Sequence, residues 1–268
     1  MSKTKPHRNA TKGQVAKEAY KKAIAASIPN SAWEDWDEDL TVSKPVLALN
    51  AATYKSQAIL NVPAGGRADW HYLVSPQGNF AYRNKILDGY TPLSHFDDEG
   101  VTLFNGDVAL PMLIDMNRRT GGGRRFKKKT SEYKRSVEGA IWMSPTPAEM
   151  LTQRSGVQMA KGKVLIGGLG LGWFLNKVCE KPTVDEVVIV ERSQELLDWY
   201  GYDLCKKQVK VKDVICNDVY SVADNFPNHQ LLLDIWPVFR GHESAETDAR
   251  LAALRTVSGD RVWAWGMD

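Results

Sequence analysis

The run Gly167-Gly168-Leu169-Gly170-Leu171-Gly172 follows the apolar Val164-Leu165-Ile166 and precedes Trp173-Phe174-Leu175. Glycines between a strand and a helix let the backbone turn sharply and approach a ligand closely. The N–H groups at the start of the helix favour an anionic or hydrogen-bond-accepting group. Such a run alone also serves any tight strand-to-helix turn, so the spacing around it matters more. Glu191 ends the next apolar run, nineteen residues beyond Gly172. A carboxylate there can accept hydrogen bonds from both hydroxyls of a ribose. Asp218 and Asp234 end two further apolar runs. Three acidic residues at the carboxyl ends of successive strands face one crevice, where open α/β sheets bind ligands.

The glycine pattern narrows the nucleotide. A dinucleotide fingerprint needs a small third residue in G-x-G-x-x-G/A for close helix–strand packing. Counting from Gly168 that position is Trp173, and from Gly170 it is Leu175. The pyrophosphate reading, and an NAD-dependent oxidoreductase with it, is therefore disfavoured. No G-K-[ST] follows the glycines, which excludes a Walker P-loop.

These residues need an alternating scaffold. Strands are expected at Val164–Gly167, Glu186–Val190, Val211–Cys216, Leu231–Leu233 and Arg261–Trp265, with helices at Trp173–Cys179, Gln194–Tyr200 and Ala245–Val257. Strands alternating with helices imply a parallel sheet covered on both faces. Upstream, Val15, Ala19, Ala23 and Ala26 recur at helical spacing and predict a helix from about Gln14 to Ala26, ended by Pro29. Between Pro45 and Met116 the runs VLALN, SQAILNV and WHYLV read as strands of a mainly antiparallel unit. Ser75-Pro76-Gln77-Gly78 reads as a turn, and Asn105-Gly106 as a hairpin between VTLF and VALPMLI.

The series VLIGGLGLG, VVIVE, ICNDV and LLLDIWP resembles the motifs of class I S-adenosylmethionine (SAM)-dependent methyltransferases and of the related spermidine synthases, over roughly Trp142 to Asp268. The likeness is most marked to methyltransferase-like proteins encoded by bacteriophages and actinobacteria, in which a segment like Met143-Ser-Pro-Thr-Pro-Ala-Glu-Met150 precedes the glycine loop. The resemblance implies SAM as cofactor and these roles. Gly167, Gly168, Gly170 and Gly172 would form the loop under its methionine part. Glu191 would hold the ribose, and Asp218 would face the adenine amino group with Val219 against the ring. Asp234 would lie beside the sulfonium and the incoming acceptor, the position of a catalytic carboxylate. Thr146 and Glu149 would approach cofactor or substrate. Trp236 and Pro237 would wall the acceptor, an aromatic face that also suits a cation.

Two features depart from that family pattern. Asp-Ile-Trp-Pro is not the Asn/Asp-Pro-Pro-Tyr of amino-directed DNA methyltransferases, and only Asp234 fits the Asp pair of spermidine synthases. The expected fold class is α/β: a Rossmann-like SAM-binding domain over 138–268, its mostly parallel sheet truncated after strand five. A basic tail and helix (1–44), a small β-rich unit (45–117) and a basic Gly-rich loop or linker (118–137) precede it. The favoured function is a SAM-dependent methyltransferase of unidentified acceptor. A non-catalytic or nucleic-acid-binding protein on a truncated SAM fold and a spermidine synthase-like aminopropyltransferase stand as alternatives.

Charge and composition set the partners. Arg118 to Arg135 holds nine cations with Phe126 and Tyr133 interleaved. That suits a phosphate backbone with stacking bases, or equally a solvated loop. The net charge of +3 is too small to imply nucleic acid by itself. The three cysteines have no C-x-x-C spacing and the five histidines no H-x-x-x-H spacing, so no disulfide framework and no metal site is expected. No apolar run reaches the ~18 residues of a membrane span, and no secretory leader is read at the N-terminus. A cytoplasmic protein is expected, in the host cytoplasm if phage-encoded, without a membrane partner; a homo-oligomer is left open.

Overall fold

The computed structural model describes residues 19, 23, 26–29, 33–36, 46–57, 67–69, 72–87, 93–94, 101–119, 139–236 and 245–267. Of the helix expected at its N-terminal end, the described Ala19, Ala23 and Ala26 are helical. Most of the basic run, and Pro237, lie outside the described residues. The chain divides into two compact units, one of Met1–Gln57 with Ile86–Ala109, the other of Ala58–Lys85 with Leu110–Asp268. The division thus cuts through the stretch 45–117.

The first unit holds β1 (Val46–Leu49), α1 (Ala51–Gln57) and, among the strands numbered in chain order below, β5 (Leu93–Ser94) and β6 (Val101–Phe104). Its sheet has the order β1-β6-β5, with β1 and β6 parallel. Buried Tyr54 packs its ring 4.9 Å from Phe104 and 5.2 Å from Trp36. Two sequence expectations fail here. Ser56 and Gln57 end a helix, not a strand. Asn50 starts that helix by accepting the Ala52 N–H, and the Asn105 side chain accepts that of Ala51. Asn105-Gly106 does not close a hairpin either, because the strands on its two sides enter different sheets. The Asn105 side chain is committed to the α1 terminus, and β6 finds its partners in β1 and β5.

The second unit contains two sheets. One is five-stranded, order β2-β3-β4-β7-β8, from β2 (Arg67–Asp69), β3 (Tyr72–Val74), β4 (Phe80–Leu87), β7 (Val108–Arg119) and β8 (Gly139–Met143). Its β2–β3, β3–β4 and β7–β8 pairings are antiparallel. The Ser75–Gly78 turn joins β3 to β4; Gly78 donates its N–H to the Ser75 carbonyl at φ +84°.

The other sheet is fully parallel, with the order β11-β10-β9-β12-β13. Its strands are β9 (Gly162–Gly167), β10 (Val184–Glu191), β11 (Val211–Cys216), β12 (Gln230–Leu233) and β13 (Val262–Ala264). The order reverses between β9 and β12, the doubly wound, Rossmann-like pattern with its crevice at that switch point. Val164, Leu165 and Ile166, and Val187 to Val190, are all buried, as strands covered on both faces require. Burying each such side chain stabilises by about 1.5–3 kcal/mol. Leu165, Val188, Val190, Leu231 and Leu233 form one core with Leu251 and Leu254 of α6 (Ala245–Ser258). On the opposite face, Trp263 stacks on Phe174 at 5.3 Å. Phe174 belongs to α3 (Trp173–Glu180). Trp263 also donates its indole N–H to Ser155 of α2 (Pro147–Met159). Between β10 and β11 runs α4, assembled from Gln194–Leu196, a π-helical turn Leu197–Gly201 and Tyr202–Lys206; α5 (Val219–Val222) follows β11.

Candidate functional site

The second unit has a cleft of about 230 Å³ at the carboxyl ends of the parallel strands. Gly168, Glu191, Asp218, Val219, Asp234 and Trp236 all line it. The topology thus brings together the residues whose spacing drew attention in the sequence. It adds Phe80, Asp115, Trp142, Arg192, Asn217, Tyr220 and Arg250. Arg192, Asn217 and Tyr220 adjoin the motif residues Glu191, Asp218 and Val219, whereas Phe80, Asp115, Trp142 and Arg250 come from separate segments with no local motif.

The switch point is held by backbone. Gly168 donates its N–H to Val190, and Asp234 donates its own to the Gly167 carbonyl, at 2.8 and 2.9 Å. Gly168 stands at φ +88°, and a β-carbon there would lie 2.2 Å from the Asp234 carbonyl oxygen. Only glycine allows β9 to turn this close to β12. Further round the loop the contacts are internal. Leu171 N–H points to the Met143 sulfur at 2.9 Å, and the Tyr200 hydroxyl donates to the Gly170 carbonyl at 2.6 Å. A β-carbon on Gly170 would meet Met143, and one on Gly172 would meet Leu204. Gly170 and Gly172 thus make room for packing within the protein.

Glu191 is 8% exposed, and burial of its carboxyl holds it above the ordinary range against opposing hydrogen bonds. Its Oε2 accepts Leu169 N–H at 3.0 Å and its Oε1 accepts Ser193 N–H at 2.8 Å. A carboxylate has about four lone-pair positions, so the two oxygens retain acceptor capacity toward the cleft. Asp218 caps α5 through Tyr220 N–H at 3.1 Å and pairs with Arg250 at 2.6 Å. The Arg250 guanidinium also lies 4.2 Å over the Tyr220 ring. Asp218 thus carries a cationic partner that the sequence reading did not anticipate.

Thr146 and Glu149 form the start of α2. Thr146 accepts Glu149 N–H at 3.2 Å, Pro147 takes the first helical position, and Glu149 reaches back to accept Ser144 N–H at 3.1 Å. This is capping-box chemistry shifted by two residues. Neither side chain lines the cleft. Burial, and secondly the nearby Asp234, hold the Glu149 carboxyl well above its usual range. Burial alone pushes Asp234 up to about 7. Asp234 Oδ2 accepts the side-chain N–H of Gln153 at 2.5 Å. Trp236, 7% exposed, has an indole N–H without a partner among the described residues.

A nucleoside fits these features: a carboxylate with spare acceptor positions, aromatic walls and an unused buried donor. The volume lies below the roughly 300–1,000 Å³ of typical ligand pockets. Among the described residues no group of His, Cys, Asp and Glu is arranged to hold a metal ion. No helix of the described residues is long and apolar enough to cross a membrane.

No family model matches the chain, and no curated protein does. Among solved structures it is similar to the spermidine synthase from Thermotoga maritima, at 13% identity and a TM-score of 0.29. The match covers 65% of this chain and 56% of that one, so the chain spans little more than half of that synthase. A superposition this loose carries no assignment.

Proposed function

We propose that the cleft binds the adenosine part of SAM, and that the protein is a SAM-dependent methyltransferase whose acceptor is not identified. The observation that supports this most is the convergence of Gly168, Glu191 and Asp234 on one cleft at the switch point of a doubly wound sheet. In this reading Glu191 accepts hydrogen bonds from the ribose hydroxyls. Val219 and Tyr220 flank the base, and Trp236 and Trp142 wall the acceptor. The cofactor supplies an activated sulfonium carbon, which leaves the protein to align a nucleophile and take up its proton. Asp234 is suited to that proton, because a base titrating near 7 combines the ionised form with useful basicity at neutral pH.

Calorimetry on the full chain with SAM, S-adenosylhomocysteine and decarboxylated SAM tests this reading. Binding of the first two is expected, weakened at least tenfold, about 1.4 kcal/mol, by Glu191→Ala. No heat with any of the three sinks the reading, and a clear preference for decarboxylated SAM would replace methyl transfer with aminopropyl transfer. A second reading, a binding protein without turnover, is favoured by the inner half of the loop, where Met143 and Tyr200 already occupy Leu171 N–H and the Gly170 carbonyl. A methyl-transfer signal lost in Asp234→Ala would eliminate it.

A further inference from the structure

Gln153 is an unexpected core residue. It is 1% exposed on α2, beside the buried Met150, Leu151 and Gly156. Burying an amide costs free energy unless both its ends are satisfied. One end is satisfied, since Nε2 donates to Asp234 Oδ2 at 2.5 Å. The other end, Oε1, has no partner among the described residues. One helical turn earlier on the same face stands Glu149, because residues four apart on a helix are neighbours. Its carboxyl also feels the charge of Asp234. A protonated Glu149, on that face, carries an O–H of the kind Oε1 lacks. An ionised one would place an acceptor against an acceptor, next to a second carboxylate.

We propose that Gln153 is a positioning residue of the cleft: it accepts a hydrogen bond from protonated Glu149 at Oε1 and donates one to Asp234 from Nε2, so the two carboxyls hold one proton between them and keep it on Glu149. Asp234 is thereby left ionised, with Oδ2 pinned by Gln153. The inference rests on reading Asp234 as the group that meets the acceptor, yet it concerns the apoprotein. Two interacting carboxyls titrate in two steps that belong to the pair. Burial raises both groups, and the neighbouring Asp234 adds to the rise at Glu149. The other ionisable side chains lining the cleft with Asp234 are Asp115, Glu191, Arg192, Asp218, Tyr220 and Arg250.

Carboxyl-carbon NMR on the full chain, with Asp234 assigned through Asp234→Asn, reads this without any ligand. Two coupled steps are expected at Asp234. Glu149→Gln should delete the upper step and keep the lower one, because its amide can still donate to Gln153. Gln153→Met removes the donor at similar volume and should raise the proton affinity of Asp234 at least tenfold. A purely structural Gln153 would change the melting temperature and leave the Asp234 titration in place, and that result overturns the proposal. If Gln153→Met does not fold, Glu149→Gln decides alone, and an upper step that persists in it is equally fatal. A chain that binds no adenosyl compound can still pass or fail this titration, so the two readings fail separately.

Discussion

Glu191, the last residue of β10, and Glu195, four residues further on, are both nearly inaccessible, and each ties down a loop from elsewhere in the chain. Glu191 holds the glycine loop through Leu169 N–H. Glu195 holds the β3–β4 turn, accepting the N–H groups of Gln77 and Asn79 and the Asn79 side chain. Their electrostatics run in opposite directions. Burial would raise both carboxyls. For Glu195 the hydrogen bonds from Ser75, Asn79 and Gln77 outweigh it and bring the group below its ordinary value. For Glu191 burial prevails and the group lies above it. A buried carboxylate whose donors are supplied by the scaffold is structural. One that is left short of donors and lines a cleft is positioned to take them from a ligand.

The loop that Glu191 holds should be the harder to alter. Gly168→Ala combines a left-handed backbone with a collision against the Asp234 carbonyl, and is expected to cost more than about 4 kcal/mol or to abolish folding. Gly78→Ala, in the loop that Glu195 holds, meets nothing within 4 Å. It should cost only the backbone term, about 1–2 kcal/mol. Denaturant melts of the two variants measure the gap, and equal costs would break the comparison.

Glu195→Gln should cost about 2–3 kcal/mol near neutral pH, since charge-assisted bonds are lost. The folded carboxyl titrates below its unfolded value. Its contribution is therefore complete above the ordinary carboxylate range and fades as pH falls through the lowered value. Melting curves of wild type and variant should converge in acid. A constant gap down to pH 3 would show that the charge is not what holds the turn.

Asp234 belongs with Glu191. Its folded carboxyl, raised to about 7 from an unfolded value near 3.8, binds a proton more tightly than the unfolded chain does. The contribution of Asp234 to stability therefore falls as pH rises from about 4 to about 7. Asp234→Asn, which mimics the protonated form, should melt higher than wild type at pH 8, by a margin on the order of 2 kcal/mol. That margin should vanish near pH 4. The smallest effect is reserved for Glu191→Gln, expected within about 1 kcal/mol of wild type in stability at pH 7. A loss as large as that of Glu195→Gln would make Glu191 structural after all.

The parallel sheet was legible because its central strands β9, β10 and β12 carry apolar runs that end in glycine or carboxylate, signals written locally at Val164–Gly172, Glu191 and Asp234. The first unit was less so. Asn105-Gly106 has the strongest turn chemistry in its region, but a turn residue reports only that the chain bends, not which strand lies beside it. Helix α1 has one local start signal in Asn50, which the strand reading passed over, and a second in the Asn105 side chain, more than fifty residues away. Arg250 and Asp115 could not be placed in the cleft from sequence, since their positions depend on how separate elements pack. Gln153 was closer to hand: once Glu149 is placed at the start of a helix, a polar residue four positions on shares its face.

The indole of Trp236, without a partner among the described residues, turns the cleft into its own indicator. A buried tryptophan N–H that acquires an acceptor shifts its emission to longer wavelength, and a stacked base quenches it. Titrations can thus be followed optically on the native chain, with Trp236→Phe as the dark control against the other eight tryptophans.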